Sequence, residues 1–186
     1  MSVKKNGSKN GANGRGVART GAPPLRETYR GKHLLVTGVT GFLGKVWLAM
    51  VLDHLPELGK ATVIVRPKKG EDATARFQHI AERSPAFRPL REKLGAGAFR
   101  ALVRDKIRVV EAKLVEPLCG FSEKEADALM RDVDAVVHFA GLTDFDPDPR
   151  LAMNINVFGA LNLADLSAKL KRAKFLHCST CFVAGK

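Results

Sequence analysis

The chain has 186 residues, a formal net charge of +12 and three cysteines. That length suits one domain of about 150 residues and a spare segment. With 45% apolar residues it can bury a core, which argues against wholesale disorder. No stretch reaches the roughly 18 to 20 apolar residues of a spanning helix, and Met1-Ser-Val-Lys-Lys lacks the apolar centre of a secretory signal. Three cysteines make no disulfide framework. A collagen, a disulfide miniprotein and an integral membrane protein are thereby excluded, and a reducing, cytoplasmic setting is expected.

Residues 1–30 carry Lys4, Lys5, Lys9, Arg15, Arg19, Arg26 and Arg30 against the single acid Glu27, among Gly, Asn and Ser. Such a segment buries too little apolar surface to order itself, so residues 1–29 read as a basic disordered arm. Its charge suits peripheral contact with anionic lipid. A nucleic-acid partner is not expected, because the arm lacks interleaved aromatics and a recognisable module.

From residue 30 onward strand and helix signals alternate. Lys32–Thr37 is a short apolar run ending in glycines. Lys45–Leu58 has helical periodicity, with Val46, Leu48, Ala49, Leu52 and Leu55 on one face. Ala61–Arg66 reads as a second strand stopped by Pro67. About forty residues follow, with helix-like stretches over 75–82 and 87–103 parted by Ser84-Pro85. A plain crossover needs far fewer, so a helical insert over one sheet edge is expected. Ile107–Val110, Ala135–Ala140 and Lys174–Cys178 read as further strands, and Leu151–Lys171 as one long helix. The alternation predicts an α/β domain over residues 30–186, a doubly wound parallel sheet covered on both faces.

The strongest local signal is Thr37-Gly38-Val-Thr40-Gly41-Phe42-Leu43-Gly44, between the first strand and its helix. Glycines there allow a tight turn, close backbone approach to a pyrophosphate, and helix packing against the strand. The helix N-terminus then offers free amides to phosphate. The end of the second strand selects the dinucleotide. A carboxylate there would accept ribose hydroxyls, whereas this chain has Arg66, followed by Lys68 and Lys69. An arginine fork can hold a 2′-phosphate, so NADPH is the expected cofactor, with Arg66 and Lys68 as contacts.

These motifs resemble the extended short-chain dehydrogenase/reductases. Gly41-Phe-Leu-Gly-Lys45, the insert from Arg76-Phe77 to Phe87-Arg-Pro-Leu90, His138-Phe-Ala-Gly141, Phe145-Asp146, Asn154-Ile-Asn-Val-Phe-Gly159 and Cys178-Ser-Thr-Cys-Phe-Val-Ala-Gly185 are similar to the fatty acyl-CoA reductase and thioester reductase branch, the male-sterility type. The resemblance covers about residues 30–186. It implies a Rossmann-type NADP-binding fold, with Ala140 and Gly141 beside the nicotinamide. It implies a catalytic hydroxyl at Thr180, with Ser179 as a weaker candidate, and a supporting role for Asn156. The implied activity is NADPH-dependent reduction of a fatty acyl thioester, such as an acyl-CoA, to aldehyde or alcohol. An extended reductase or epimerase acting on nucleotide sugars or sterols, and a non-catalytic NADP(H)-binding module, are the other readings.

Two departures accompany the resemblance. Glu111-Ala-Lys113-Leu114 stands where the family often has Gly-Asp. The family's Tyr-x-x-x-Lys pair has no counterpart, since the only tyrosine is Tyr29. The chain therefore reads as the N-terminal, cofactor-binding part of a reductase, without its substrate-binding part and inactive alone. No metal site is expected. Cys178-x-x-Cys181 ends a strand rather than opening a helix, and Asp144, Asp146 and Asp148 lack the glycine and terminal glutamate of a calcium loop. His138 reads as a packed or cofactor-side residue.

Overall fold

The structure, a computed structural model, describes residues 24–169 and 174–179. Five strands form one parallel sheet: β1 (His33–Thr37), β2 (Lys60–Ile64), β3 (Ile107–Val110), β4 (Ala135–His138) and β5 (Lys174–His177), in the order β3-β2-β1-β4-β5. Leu34, Leu35, Val36, Val63 and Val136 are each fully buried. Consecutive strand residues point to opposite faces, so this pattern requires cover on both sides.

One face is covered by α2 (Phe42–His54), α3 (Ala73–Arg83), α4 (Arg88–Leu94) and α5 (Ala96–Lys106). The other is covered by α6 (Glu123–Met130) and α8 (Gly159–Ala168). Connections leaving β1 and β2 take the first face, and those leaving β3 and β4 take the second. The chain order therefore reverses between β1 and β4, where a doubly wound sheet opens a crevice at the carboxyl ends of its strands. The expected α/β fold is thus the observed one.

The insert is part of the core rather than an ornament on it. Phe77 of α3, Phe87 of a 3₁₀ turn at Pro85–Phe87, and Phe99 of α5 are among the largest fully buried side chains. The rings of Phe87 and Phe99 tilt together with centroids 6.2 Å apart. Arg91 donates from Nη1 to the carbonyls of Ala81 (2.7 Å) and Ser84 (3.1 Å), which ties α4 back to the end of α3. The stretch expected as one helix over 87–103 breaks at Gly95, whose φ of +78° suits glycine and ends α4 where α5 begins.

Other elements also differ from the sequence reading. Leu25–Tyr29 is a short helix, α1, inside the stretch read as arm, and Tyr29 packs against the core. Residues 1–23 lie outside the described residues. Sequence reading passes over α6, although Ser122 and Glu125 cap it reciprocally. The long helix expected over 151–171 is α7 (Pro149–Ala152), a π-helical turn (Met153–Phe158) and α8. Asp148, weighed as a metal ligand, accepts from the Leu151 amide and caps α7. Among the described residues no helix is long and apolar enough to cross a membrane, and no cluster of potential metal ligands forms.

Truncating Phe77 to Ala tests whether the insert carries the fold. A cavity at a fully buried phenylalanine is expected to cost about 3–5 kcal/mol of stability. A large drop in the thermal or urea midpoint is the predicted result, and a change under about 1 kcal/mol contradicts an integral insert.

Candidate functional site

The glycine turn is built by contacts that admit no side chain. Gly38 has φ +75°, and a Cβ there would lie 2.5 Å from the Phe139 carbonyl carbon and the Ala140 nitrogen. A Cβ on Gly44 would lie 2.3 Å from the Gly38 oxygen. The loop after β1 thus presses directly on the loop after β4, and α2 presses on the turn. Gly41 differs, for a Cβ there would meet only the Gly38 oxygen, at 3.3 Å. The Gly41 amide donates to Gly38 (3.0 Å), and the Lys45 amide makes the first bond of α2, to Gly41 (3.2 Å). The amides of Phe42, Leu43 and Gly44 precede that ladder, as the first amides of a helix do.

A cleft of about 450 Å³ opens above this turn. Of the residues expected from sequence, Thr37, Gly38, Thr40, Gly41, Arg66, Ala140 and Gly141 line it together. Phe42 and Leu43 are exposed at the start of α2 and Gly44 is buried against Gly38, all three outside the cleft lining. Arg66 follows β2, and its carbonyl accepts from Arg76 Nη1 at 2.6 Å. Lys68 pairs its amide and carbonyl with Glu71 in a tight turn and is not among the residues that line the cleft.

The nicotinamide-side wall suggested by the resemblance is held from two directions. Thr37 Oγ1 accepts the Ala140 amide at 3.3 Å and lies 2.6 Å from His138 Nδ1. Asn156, in the π-helical turn, grips Leu142 twice: its Oδ1 accepts the Leu142 amide at 2.7 Å, and its Nδ2 donates to the Leu142 carbonyl at 3.0 Å. Asn156 therefore acts on the wall's backbone and does not itself line the cleft, whereas its neighbour Ile155 does. Ser179 is exposed beyond β5. Thr180 lies outside the described residues, as does Cys181. Cys119 is buried and free, and burial pushes its thiol up to about 12, which keeps it protonated.

A third wall follows β3: Glu111, Ala112, Lys113, Leu114 and Val115 line the cleft, a stretch that sequence reading noted at Glu111-Ala-Lys113-Leu114 only as a departure from the family pattern and in which it named no site residue. Lys113 pairs with Glu116 at 3.0 Å, and Asn162 of α8 donates to the Leu114 carbonyl at 2.9 Å. Position at the end of a parallel strand was the available signal. Phe139 was missed too; it lines the cleft and packs against Trp47 with ring centroids 5.3 Å apart. A second hollow of about 440 Å³ lies between α3, α5 and β3, but side chains line it without any glycine turn, so it offers no backbone cradle.

Comparison with known proteins agrees with this geometry. Residues 36–186 match the NAD-binding family described as male sterility protein, and the chain belongs to that family. It is 33% identical over 157 residues to fatty acyl-CoA reductase 8 of Arabidopsis thaliana, covering 83% of this chain and 32% of that protein. It is 31% identical over 159 residues to fatty acyl-CoA reductase 1 of Mus musculus, covering 85% and 30%. The reductase domain of a non-ribosomal peptide synthetase from Mycobacterium tuberculosis superposes with a TM-score of 0.61 at 27% identity, covering 82% of this chain and 34% of that one. The chain thus spans about a third of the length of these relatives. Its fold is the Rossmann-like NAD(P)-binding fold of oxidoreductases.

The two glycines predict separable effects. Gly44→Ala forces a Cβ into the Gly38 backbone and should lower stability by about 1–3 kcal/mol, as overpacking does. Gly41→Ala should leave the melting midpoint within a degree or two and weaken dinucleotide binding about tenfold or more, since its new methyl faces the cleft. Paired melting curves and cofactor titrations check both; equal behaviour of the two variants contradicts the assignment.

Proposed function

We propose that this chain forms the cofactor-binding portion of an NADPH-dependent reductase of fatty acyl thioesters, with acyl-CoA as substrate. The observation that carries the reading is the cleft at the switch point, where a glycine turn packed backbone to backbone shares the lining with an arginine at the end of β2. The residues present fit the dinucleotide. Gly38 and Gly41 leave room for a pyrophosphate beside the unladdered amides of α2, and the positive end of the helix dipole favours its charge. Arg66 would grip a 2′-phosphate and stack on the adenine. Glu111 is the one carboxylate among the lining residues, at the end of β3 rather than β2. The family relatives named fatty acyl-CoA reductases support the substrate class.

In that reaction the bound nicotinamide supplies hydride to the thioester carbonyl. The chain's own groups bind and orient. Ala140 and Gly141 would wall the nicotinamide side, with Asn156 holding Leu142 behind them. Thr180 would hydrogen-bond the carbonyl oxygen and stabilise the charge that develops there, with Ser179 beside it. Tyr29 cannot serve as proton donor. It precedes β1 and packs on the core, whereas the cleft lies past the opposite end of that strand. The basic arm would hold the protein against anionic lipid, near the membranes in which long acyl chains partition.

Arg66→Ala is the direct test of the cofactor. A charge-assisted hydrogen bond contributes about 1.5–3 kcal/mol, so NADPH affinity should fall about 10- to 100-fold while NADH affinity changes little. Unchanged affinity for both sinks the NADPH assignment. For the substrate, the protein as its host makes it should oxidise NADPH when given palmitoyl-CoA. NADPH binding without oxidation by any long-chain acyl-CoA would leave a binding module and remove the reductase.

A further inference from the structure

His138 is 1% exposed, at the carboxyl end of β4, and nothing in the proposed reaction uses it. Its partner is Thr37, also fully buried. The Thr37 hydroxyl oxygen already accepts the Ala140 amide, 3.3 Å away. Its own proton needs an acceptor, and His138 Nδ1, at 2.6 Å, is the one bonded to it among the described residues. A buried hydroxyl without an acceptor is costly. The hydroxyl therefore donates to Nδ1, which must be bare, and the ring carries its single proton on Nε2. A proton on Nδ1 would instead point two donors and the hydroxyl's own hydrogen at one oxygen.

We infer that His138 is a positioning residue of the cofactor cleft: its Nδ1 lone pair directs the Thr37 hydroxyl, leaving that oxygen to hold the Ala140 amide and set the wall Ala140–Leu142 against Gly38. This rests on the reading of the cleft as a dinucleotide site. The neutral ring is enforced by its surroundings. Burial foremost, and then the neighbouring His177, hold its pKa down to about 4. The two rings stack with centroids 5.0 Å apart, and Phe175 flanks them at 6.3 Å. The tolerance for movement is small, because Gly38 has no space between itself and Phe139–Ala140. A shift of a few tenths of an ångström in Ala140 must be taken up by the turn that would cradle the pyrophosphate.

The test compares His138→Asn with His138→Phe in the 186-residue chain. Asparagine Oδ1 stands the same number of bonds from Cα as Nδ1 and can accept from Thr37. Phenylalanine keeps the ring and removes the acceptor. By NADPH fluorescence titration, the Asn variant is expected within about threefold of the unsubstituted protein and the Phe variant about tenfold weaker or more. Nitrogen-15 NMR of the unsubstituted protein should show a bare Nδ1 and a protonated Nε2 from pH 6 to 8. Equal affinity of the Phe variant, or an Asn variant as weak as Phe, overturns the inference. A proton on Nδ1 overturns it without any variant, so a Phe substitution that fails to fold does not shield it. If the unsubstituted chain binds neither NADPH nor NADH, the dinucleotide reading falls first, and this inference falls with it.

Discussion

Everything at the working end of this molecule depends on backbone packed against backbone where β1 and β4 leave the sheet. Gly38 touches Phe139 and Ala140, and Gly44 touches Gly38, with no room for a methyl at either place. Parallel neighbours in register, Thr37 opposite His138, deliver the two loops to the same height. The loop after β1 can meet the backbone of Phe139 and Ala140 only because residue 38 carries no side chain. The crevice is the consequence. Connections on opposite faces of the sheet diverge from this point, and the space between them is left to a ligand.

The same constraint explains why the insert must be read as structure. A sheet covered on both faces needs enough helix on each. On the first face α2 alone cannot cover β3 and β2, and Phe77, Phe87 and Phe99 supply the remainder. The insert therefore decides the footing of β2, and with it the place from which Arg66 reaches the cleft. The carbonyl of Arg66 is held by Arg76, the first turn of that insert, so the putting of a cation there and the filling of the core are one piece of chain.

Much of this was legible in the residues. Runs such as Leu34-Leu35-Val36 announce buried parallel strands, and the glycine spacing after Thr37 announces the turn, because both signals are local and steric. What was hidden depended on tertiary partners. The π-helical turn at Met153–Phe158 has no glycine or proline to betray it, and the bonds that Asn156 makes from it to Leu142 are invisible to periodicity. Leu118 and Cys119 adopt left-handed conformations (φ +48° and +59°) that neither residue type favours. The Cys119 carbonyl accepts the Lys113 amide at 2.9 Å, so a bond across the loop holds it where the residues' own preferences would not. The turn that Lys68 closes with Glu71 was equally hidden, and it sets Lys68 outside the cleft lining although Arg66 is only two residues away.

The cleft's walls are consequently held by independent means. The wall at Ala140–Leu142 is pinned by Thr37 to the sheet and by Asn156 to the π-helical turn. The wall after β3 hangs on the Cys119 carbonyl and on Asn162 of α8. Arg66 stands on the insert. Among the described residues no side-chain hydrogen bond joins these three supports, so a change in one need not disturb the others. Residues at the ends of β2 and β3 can therefore vary while the wall at Ala140–Leu142 keeps its geometry. Lys113 on one wall and the Thr37–His138 pair on the other can accordingly coexist: the first pairs with Glu116 in the loop after β3, and the second is locked in the sheet where Gly38 leaves no space beside Phe139 and Ala140.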